Sequence, residues 1–293
     1  MVNQILSLKQ FAGQIFNICS SDRDTNVGVG GFTGEGKSAF SSLLLKEYAK
    51  ISGVRWGFDL MTWSRAELMK WIDGEPKSEK NELGLRKGQL PEFSGILADE
   101  LFTMFYRRQW FNEEQIDAIA TFNMCRDRHL LLCGNIPNFW ELDAGFTNRI
   151  RFYVYIVKRG VAWVFQQENN PFSEDNWNKR ENKKVFRKHK NPYKIHNFLF
   201  EVHFPDWSPE EKLGYYDIRN AKRVTALDDS KDKPKKERYT KVKKQRDDMV
   251  NMLFDTEVKC PKCNIIHKNK LTNVEVAEVL GVSAEAVRLV REG

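Results

Sequence analysis

The stretch Gly31-Phe32-Thr33-Gly34-Glu35-Gly36-Lys37-Ser38 decides how this chain folds. It fits the spacing G-x-x-x-x-G-K-S without a mismatch, and each fixed position has a chemical reason. Gly31, Gly34 and Gly36 let the backbone wrap closely enough for its N–H groups to converge on phosphate oxygens. A helix starting near Lys37 points its positive end at the same oxygens. Lys37 offers its ammonium to the β and γ phosphates of a nucleotide and Ser38 a hydroxyl to Mg²⁺, with Thr33, Glu35 and Ala39 completing the loop. The flanks agree, because residues 26–29 read as a strand and 38–51 as a helix.

Working outward, Ile5, Leu6, Phe11, Ile15, Phe16 and Cys19 predict a helix over the first 20 residues or so. Residues 54–59 read as a strand, 64–72 as a helix capped by Ser64, and 93–98 as a buried strand. A helix is predicted over 113–126, a strand over 130–133, and a strand pair over 152–157 and 161–165 around the turn at Lys158-Arg159-Gly160. Residues 198–204 make a late strand, while 74–91 and 166–195 are polar excursions without clear periodicity. Strands alternating with helices predict an α/β fold with a mostly parallel sheet.

A phosphate loop needs an acid at the end of a second buried strand, and Phe93-Ser-Gly-Ile-Leu-Ala-Asp-Glu100 supplies two. Asp99 would hold Mg²⁺ through water and Glu100 would orient or deprotonate the attacking water, although adjacent acids also cap helices. Past the strand Leu130-Leu-Leu-Cys-Gly-Asn135, the Asn135 side chain can contact a γ-phosphate, and a simple Gly-Asn turn explains the same residue. Several arginines lie close in sequence to the presumed catalytic edge. Arg149 and Arg128 are the candidates for a rate-enhancing finger, Arg149 from a loop able to face a neighbour or the nucleotide.

The whole chain sets outer bounds. At 293 residues it can bury one good core and carry a small appendage. A net charge of +7 favours a polyanionic partner without selecting one. No basic leader precedes a long apolar run and no stretch reaches 18 consecutive apolar residues, so neither a secretory signal nor a membrane span is expected. Cys19, Cys125 and Cys133 occur singly in apolar settings, which fits a reducing cytoplasm, that of the host if the chain is viral, with association with a virion a further expectation.

The order of these pieces resembles the additional-strand, RecA-like P-loop ATPases. It resembles in particular the FtsK/HerA-like group that phages, archaeal viruses and plasmids use for DNA movement or virion assembly. It is also similar to the ATPase domain of zonular-occludens-toxin-like assembly proteins. The likeness rests on residues 31–38, on Ile96-Leu-Ala-Asp-Glu100, on Arg126-Asp-Arg-His-Leu-Leu-Leu-Cys-Gly-Asn135, on Leu142-Asp143 and on Arg149-Ile-Arg-Phe-Tyr-Val-Tyr155, and covers about residues 20–170. It implies ATP and Mg²⁺ as cofactors, Asp99 and Glu100 as metal-positioning and catalytic acids, Asn135 as sensor and Arg149 as an inter-subunit finger in a ring of five or six copies. Many relatives carry glutamine where this chain has Asn135, and the toxin-like branch has a membrane segment that this chain lacks. Large packaging terminases add a nuclease domain, but Asp206, Asp217, Asp228 and Asp229 fall in a segment that reads as short and poorly structured.

The sequence divides into an ATPase domain over 1–227, a charged linker over 228–248 and a small module over 249–293. In the module, Cys260-Pro-Lys-Cys263 with His267 offers three of the four ligands of a structural zinc, and a knuckle that has lost its zinc explains the same residues. Residues 271–289 read as a helix-turn-helix: Thr272 caps a first helix with Val276, Ala277 and Leu280 inward, and Ser283 caps a second with Val287 and Leu289 inward. Three functions follow: an ATP-driven motor on double-stranded DNA, an ATP-dependent DNA-binding regulator, and a phage or virion assembly ATPase with capsid or mobile-element proteins as partners.

Overall fold

The structure, a computed structural model, describes residues 4–21, 23, 25–75, 77–109, 113–168, 175–231, 247, 249–250, 257–259, 266–268, 272–280 and 283–292. Internal contacts divide it into two units, Met1–Ala226 and Leu227–Gly293. β1 (Ile5–Ser7) is a strand where a continuous helix was expected, because its backbone pairs in parallel with β8 (Phe198–His203). Ser7 and Gln10 then form a reciprocal capping box that starts α1 (Leu8–Cys19). Leu8, Phe11, Ala12, Ile15 and Cys19, spaced to share one helical face, are buried.

Eight strands form one sheet in the order β1-β8-β7-β6-β2-β5-β4-β3. β2 (Thr25–Gly31), β3 (Met61–Thr62), β4 (Gly95–Ala98), β5 (Leu131–Asn135) and β6 (Ile150–Lys158) run parallel, and β7 (Val161–Gln166) returns antiparallel between β6 and β8. β5 stands between the phosphate-loop strand β2 and the acid-bearing strand β4, so the extra strand that the resemblance implied is present. This order makes the unit a RecA-like P-loop fold.

The sheet buries both faces. On one, α1 and α2 (Lys37–Ser52) cover Val27, Val29, Leu97, Leu131 and Cys133. On the other, Leu68 of α3 (Arg65–Asp73), Leu101 of α4 (Leu101–Met104), Ala118 of α5 (Glu113–Met124) and Phe146 of α6 (Ala144–Thr147) cover Ile96, Ala98 and Leu132. Successive strand residues face opposite sides, which is why Ile96 and Leu97 belong to different clusters.

Three departures matter. The strand expected at 54–59 appears only at residues 61–62, and Trp56 and Phe58 instead pack as a ring pair 5.5 Å apart. The polar stretch 166–195 contains α7 (Lys179–His189). The segment read as poorly structured, holding Asp206, Asp217, Asp228 and Asp229, is mostly α8 (Pro209–Lys231), started by a second reciprocal box between Ser208 and Glu211. Proline at the first helical position costs α8 no hydrogen bond.

The second unit contains the short antiparallel pair β9 (Glu257–Lys259) and β10 (Ile266–Lys268), then α9 (Asn273–Leu280) and α10 (Ala284–Glu292). Thr272 and Glu275 cap α9 reciprocally, and Val276, Ala277 and Val287 are buried together with Val250. Cys260, Cys263, Gly281, Val282 and the side chains of His267, Leu280 and Leu289 lie outside the described residues. Among the described residues no helix is long and apolar enough to cross a membrane, and no His, Cys, Asp or Glu cluster could hold a metal.

Candidate active site

Three parallel strands end together. Val29 of β2 pairs with Asn135 of β5, and Gly134 of β5 pairs with Ala98 of β4, so Gly31, Asp99 and Asn135 gather at one edge of the sheet. In open α/β sheets this carboxyl edge is where ligands bind. Gly31 and Gly36 need glycine here. Their φ values are +141° and +99°, and a Cβ on Gly31 would stand 2.9 Å from the Ile156 carbonyl oxygen.

Behind the loop, α2 starts at Lys37 without a side-chain cap, which leaves its first N–H groups facing the loop. Lys37 is half-buried and donates to the carbonyls of Gly31 at 2.9 Å and Phe32 at 3.0 Å. Burial lowers its pKa below the ordinary lysine value, against the opposing pull of Asp99, Glu100 and Glu35. A phosphate chain would restore that charge.

Asn135 is buried and joins the motifs. Its amide donates to Asp99 Oδ1 at 2.8 Å and to Ser38 Oγ at 3.2 Å, while its oxygen accepts from Ser41 Oγ at 2.7 Å. An ionised carboxylate only accepts, so Asp99 sets which way the amide points. Glu100 follows Asp99 in the left-handed region, φ +57° and ψ +45°, and is exposed at the mouth of the cleft. That conformation is costly for a residue with a Cβ, and Thr103 secures it by donating to the Glu100 carbonyl through both N–H and hydroxyl.

The donor set suits a magnesium–nucleotide complex. Glycines make room for a phosphate chain, Lys37 supplies the cation, and Ser38 and Asp99 offer hard oxygen ligands side by side. Thr33, Gly34, Gly36, Ser38 and Ala39 line one wall of a cleft of about 250 Å³.

The other wall was missed from sequence. Trp207, Lys212, Tyr215 and Arg219, from α8 and the turn before it, line the same cleft, as does Arg159 from the β6–β7 turn. Tyr215 is buried, and its hydroxyl bonds Asp99 Oδ2 at 2.9 Å and Ser38 Oγ at 3.1 Å. Burial and the Asp99 carboxylate push its pKa well above the ordinary phenol value, so it stays a donor. Trp207 donates to Ser42 Oγ at 2.6 Å and packs 4.7 Å from the Tyr215 ring. α8 is tied down at Glu211 by Lys46, and at Lys222, which donates to the Met61 carbonyl at 2.7 Å and pairs with Glu67 at 2.8 Å. The spacing Tyr215, Arg219, Lys222 lies on one helical face and was the available signal.

The two arginine candidates are elsewhere. Arg149 precedes β6 at the opposite edge, where its carbonyl accepts from Asn26 Nδ2 at 3.2 Å. From Asn26 to Gly31 is five strand residues, about 16 Å, so Arg149 does not reach its own phosphate loop. Arg128 precedes β5 at that same far edge and donates to the Leu90 carbonyl, holding the 74–91 excursion.

No known family profile matches the chain, and no curated protein matches it. Among solved structures it is similar to the genome packaging NTPase B204 of Sulfolobus turreted icosahedral virus 2 in complex with AMP, at 13% identity over 60% of this chain and 91% of that one, with a TM-score of 0.33. It is similar to the N-terminal domain of zonular occludens toxin from Neisseria meningitidis, at 11% identity over 66% of this chain and 98% of that one, TM-score 0.33. It is also similar to the FIGL-1 AAA domain, at 15% identity over 51% of this chain, TM-score 0.32, and it spans only 50% of that chain. At these scores the fold rests on the strand order itself.

Proposed function

We propose that this chain is a Mg²⁺-dependent ATPase working as a homo-oligomeric ring of five or six copies on double-stranded DNA, in genome packaging or DNA translocation. The observation that supports it is the convergence of Ser38, Asp99 and Asn135 beside a phosphate loop, with Glu100 at the same mouth. In this reading the backbone from Gly31 to Gly36, with Thr33, Glu35 and Ala39, holds the phosphates, and Lys37 neutralises the β and γ oxygens. Ser38 and Asp99 would hold Mg²⁺, which when bound would neutralise charge on the same oxygens. Glu100 takes a proton from the attacking water as that oxygen bonds the γ-phosphorus. The bond to the bridging oxygen breaks, giving ADP and phosphate. Asn135 orients Asp99 and the γ-phosphate. Arg149, remote from its own loop, would serve the site of an adjacent copy, whereas Arg128, held to the Leu90 carbonyl, would keep the 74–91 excursion in place.

A second reading, an ATP-dependent DNA-binding regulator, is favoured by the helix pair α9, capped by Thr272, and α10, packed together through Val276, Ala277 and Val287. Assembly with capsid or mobile-element proteins fits either. ATP hydrolysis with and without double-stranded DNA separates them, run beside Lys37→Ala and Glu100→Gln. The motor reading expects several-fold stimulation by DNA and two dead variants. Slow turnover indifferent to DNA, still abolished by Lys37→Ala, would overturn translocation and leave a switch.

A further inference from the structure

We propose that α7 and the turn after it form a docking surface for the phosphate backbone of a nucleic acid. This rests on the DNA reading above and names the face that DNA would touch. Residues 179–194 hold eight lysines and arginines against Glu181 alone, a net of +7, which equals the net charge of the whole chain. All eight, Lys179, Arg180, Lys183, Lys184, Arg187, Lys188, Lys190 and Lys194, are exposed. Such a concentration on one folded element is the electrostatic footprint of a polyanion site.

Few acids offset it. Glu181 pairs with Lys184 at 2.9 Å, Asp175 accepts from the Lys179 backbone N–H at 2.9 Å, and Glu168 accepts from Asn178 at 2.6 Å. From β8, Glu201 accepts from Trp163 and His203. Lys179 lies over the Trp140 ring at 4.3 Å, which leaves six cations besides Lys179 and Lys184.

The helix bears a cost for this pattern. Lys179 and Lys183, Arg180 and Lys184, Lys183 and Arg187, and Lys184 and Lys188 are like-charge neighbours one turn apart, each pair destabilising. Lys179 and Arg180 also sit in the first turn, where cations are disfavoured. Tertiary ties hold the helix despite this: Asn182 donates to the Trp177 carbonyl at 2.9 Å and to Asn197 at 2.5 Å, and Trp177 is buried. An anionic partner would relieve the repulsion. About 16 Å of helix runs beside roughly nine duplex phosphates. A membrane fits less well, because α7 has one exposed large apolar side chain, Phe186, and no apolar stripe.

The surface is separate from the nucleotide cleft. α7 is tied to the end of β7, because Asn182 donates to Asn197 and Asn197 donates to the Gln166 carbonyl; Gln166 pairs with Phe152 at the start of β6, at the edge opposite the phosphate loop. Nucleotide and nucleic acid phosphates therefore do not compete.

The test is fluorescence anisotropy of the full chain with a labelled duplex of about 30 base pairs across a salt series, for the parent and for Arg180→Ala/Lys183→Ala/Arg187→Ala. Alanine relieves like-charge repulsion on an exposed helix, so folding is kept. The expected result is at least about tenfold weaker binding near 0.1 M salt and a log–log salt slope shallower by about 2 to 3. Turnover without DNA should be unchanged, and Arg180→Lys/Arg187→Lys should bind as the parent does. If the parent binds and the alanine variant binds equally, the surface is wrong and the DNA reading survives. If the parent does not bind duplex even at low salt, both fall. If the variant loses only its hold on phosphatidylserine vesicles, the surface serves a membrane and the proposal is overturned.

Discussion

Tyr215→Phe removes one oxygen and leaves the ring where it packs against Trp207 at 4.7 Å and Phe58 at 6.0 Å. What is lost is the hydrogen bond to the buried Asp99 carboxylate and the contact with Ser38. A bond to a charged acceptor is worth about 1.5–3 kcal/mol net. Asn135 still satisfies Asp99 Oδ1, so the lower half of that range applies to Oδ2. In a unit of this size 1 kcal/mol moves Tm by about 2–4 °C, so the nucleotide-free variant should melt about 3–9 °C below the parent.

With Mg²⁺ and a non-hydrolysable ATP analogue, Ser38 and Asp99 would be engaged by the metal, and the phenol would have no bond there to lose. The difference in Tm should then close. By linkage the variant would bind the magnesium–nucleotide complex more tightly by the same free energy, about 10- to 50-fold. Thermal melts with and without the complex, and a fluorescent-nucleotide titration in Mg²⁺ against EDTA, measure both effects. An equal Tm deficit in both states, with unchanged affinity, would refute the coupling of Tyr215 to the proposed metal site.

Glu100→Gly relieves a left-handed Cβ-bearing residue and should raise stability by about 1 kcal/mol while hydrolysis is lost, read by denaturant unfolding and phosphate release. Asn135→Asp places a second carboxylate against Asp99 in a buried site, so the added group's pKa rises. The variant should be several kcal/mol less stable near pH 7 and recover as pH falls through that raised value; a pH-independent loss would count against it. Arg149→Ala and Glu100→Gln, each inactive alone, should regain partial turnover when mixed, because Arg149 of one copy would serve the intact site of the other; an Arg149→Ala variant that turns over normally by itself would show that Arg149 serves no site.

The sequence by itself determined the phosphate loop, its strand and helix, the acid strand and the strand ending in Asn135. These are local: glycine is required where φ is positive, and a buried strand shows as a short apolar run. It also yielded both hairpin strands and the caps at Ser64 and Thr272, because a cap spans three residues. Its errors were of another kind. The two-residue β3 leaves almost no periodic signal, and the aromatic run before it packs as rings, not as a strand. β1 is a strand only because β8, some 190 residues on, pairs with it.

Only the tertiary structure decided what closes the site. Tyr215 meets Asp99 across 116 positions and Ser38 across 177, so nothing near Tyr215 in sequence marks it. Arg149 and Arg128 looked close to the phosphates because they flank the right strands, yet each precedes its strand and so lies at the wrong edge. Chain order shows that a residue begins or ends a strand. Which edge faces the ligand follows from parallel pairing across the whole sheet, since hydrogen bonds between distant segments set the register.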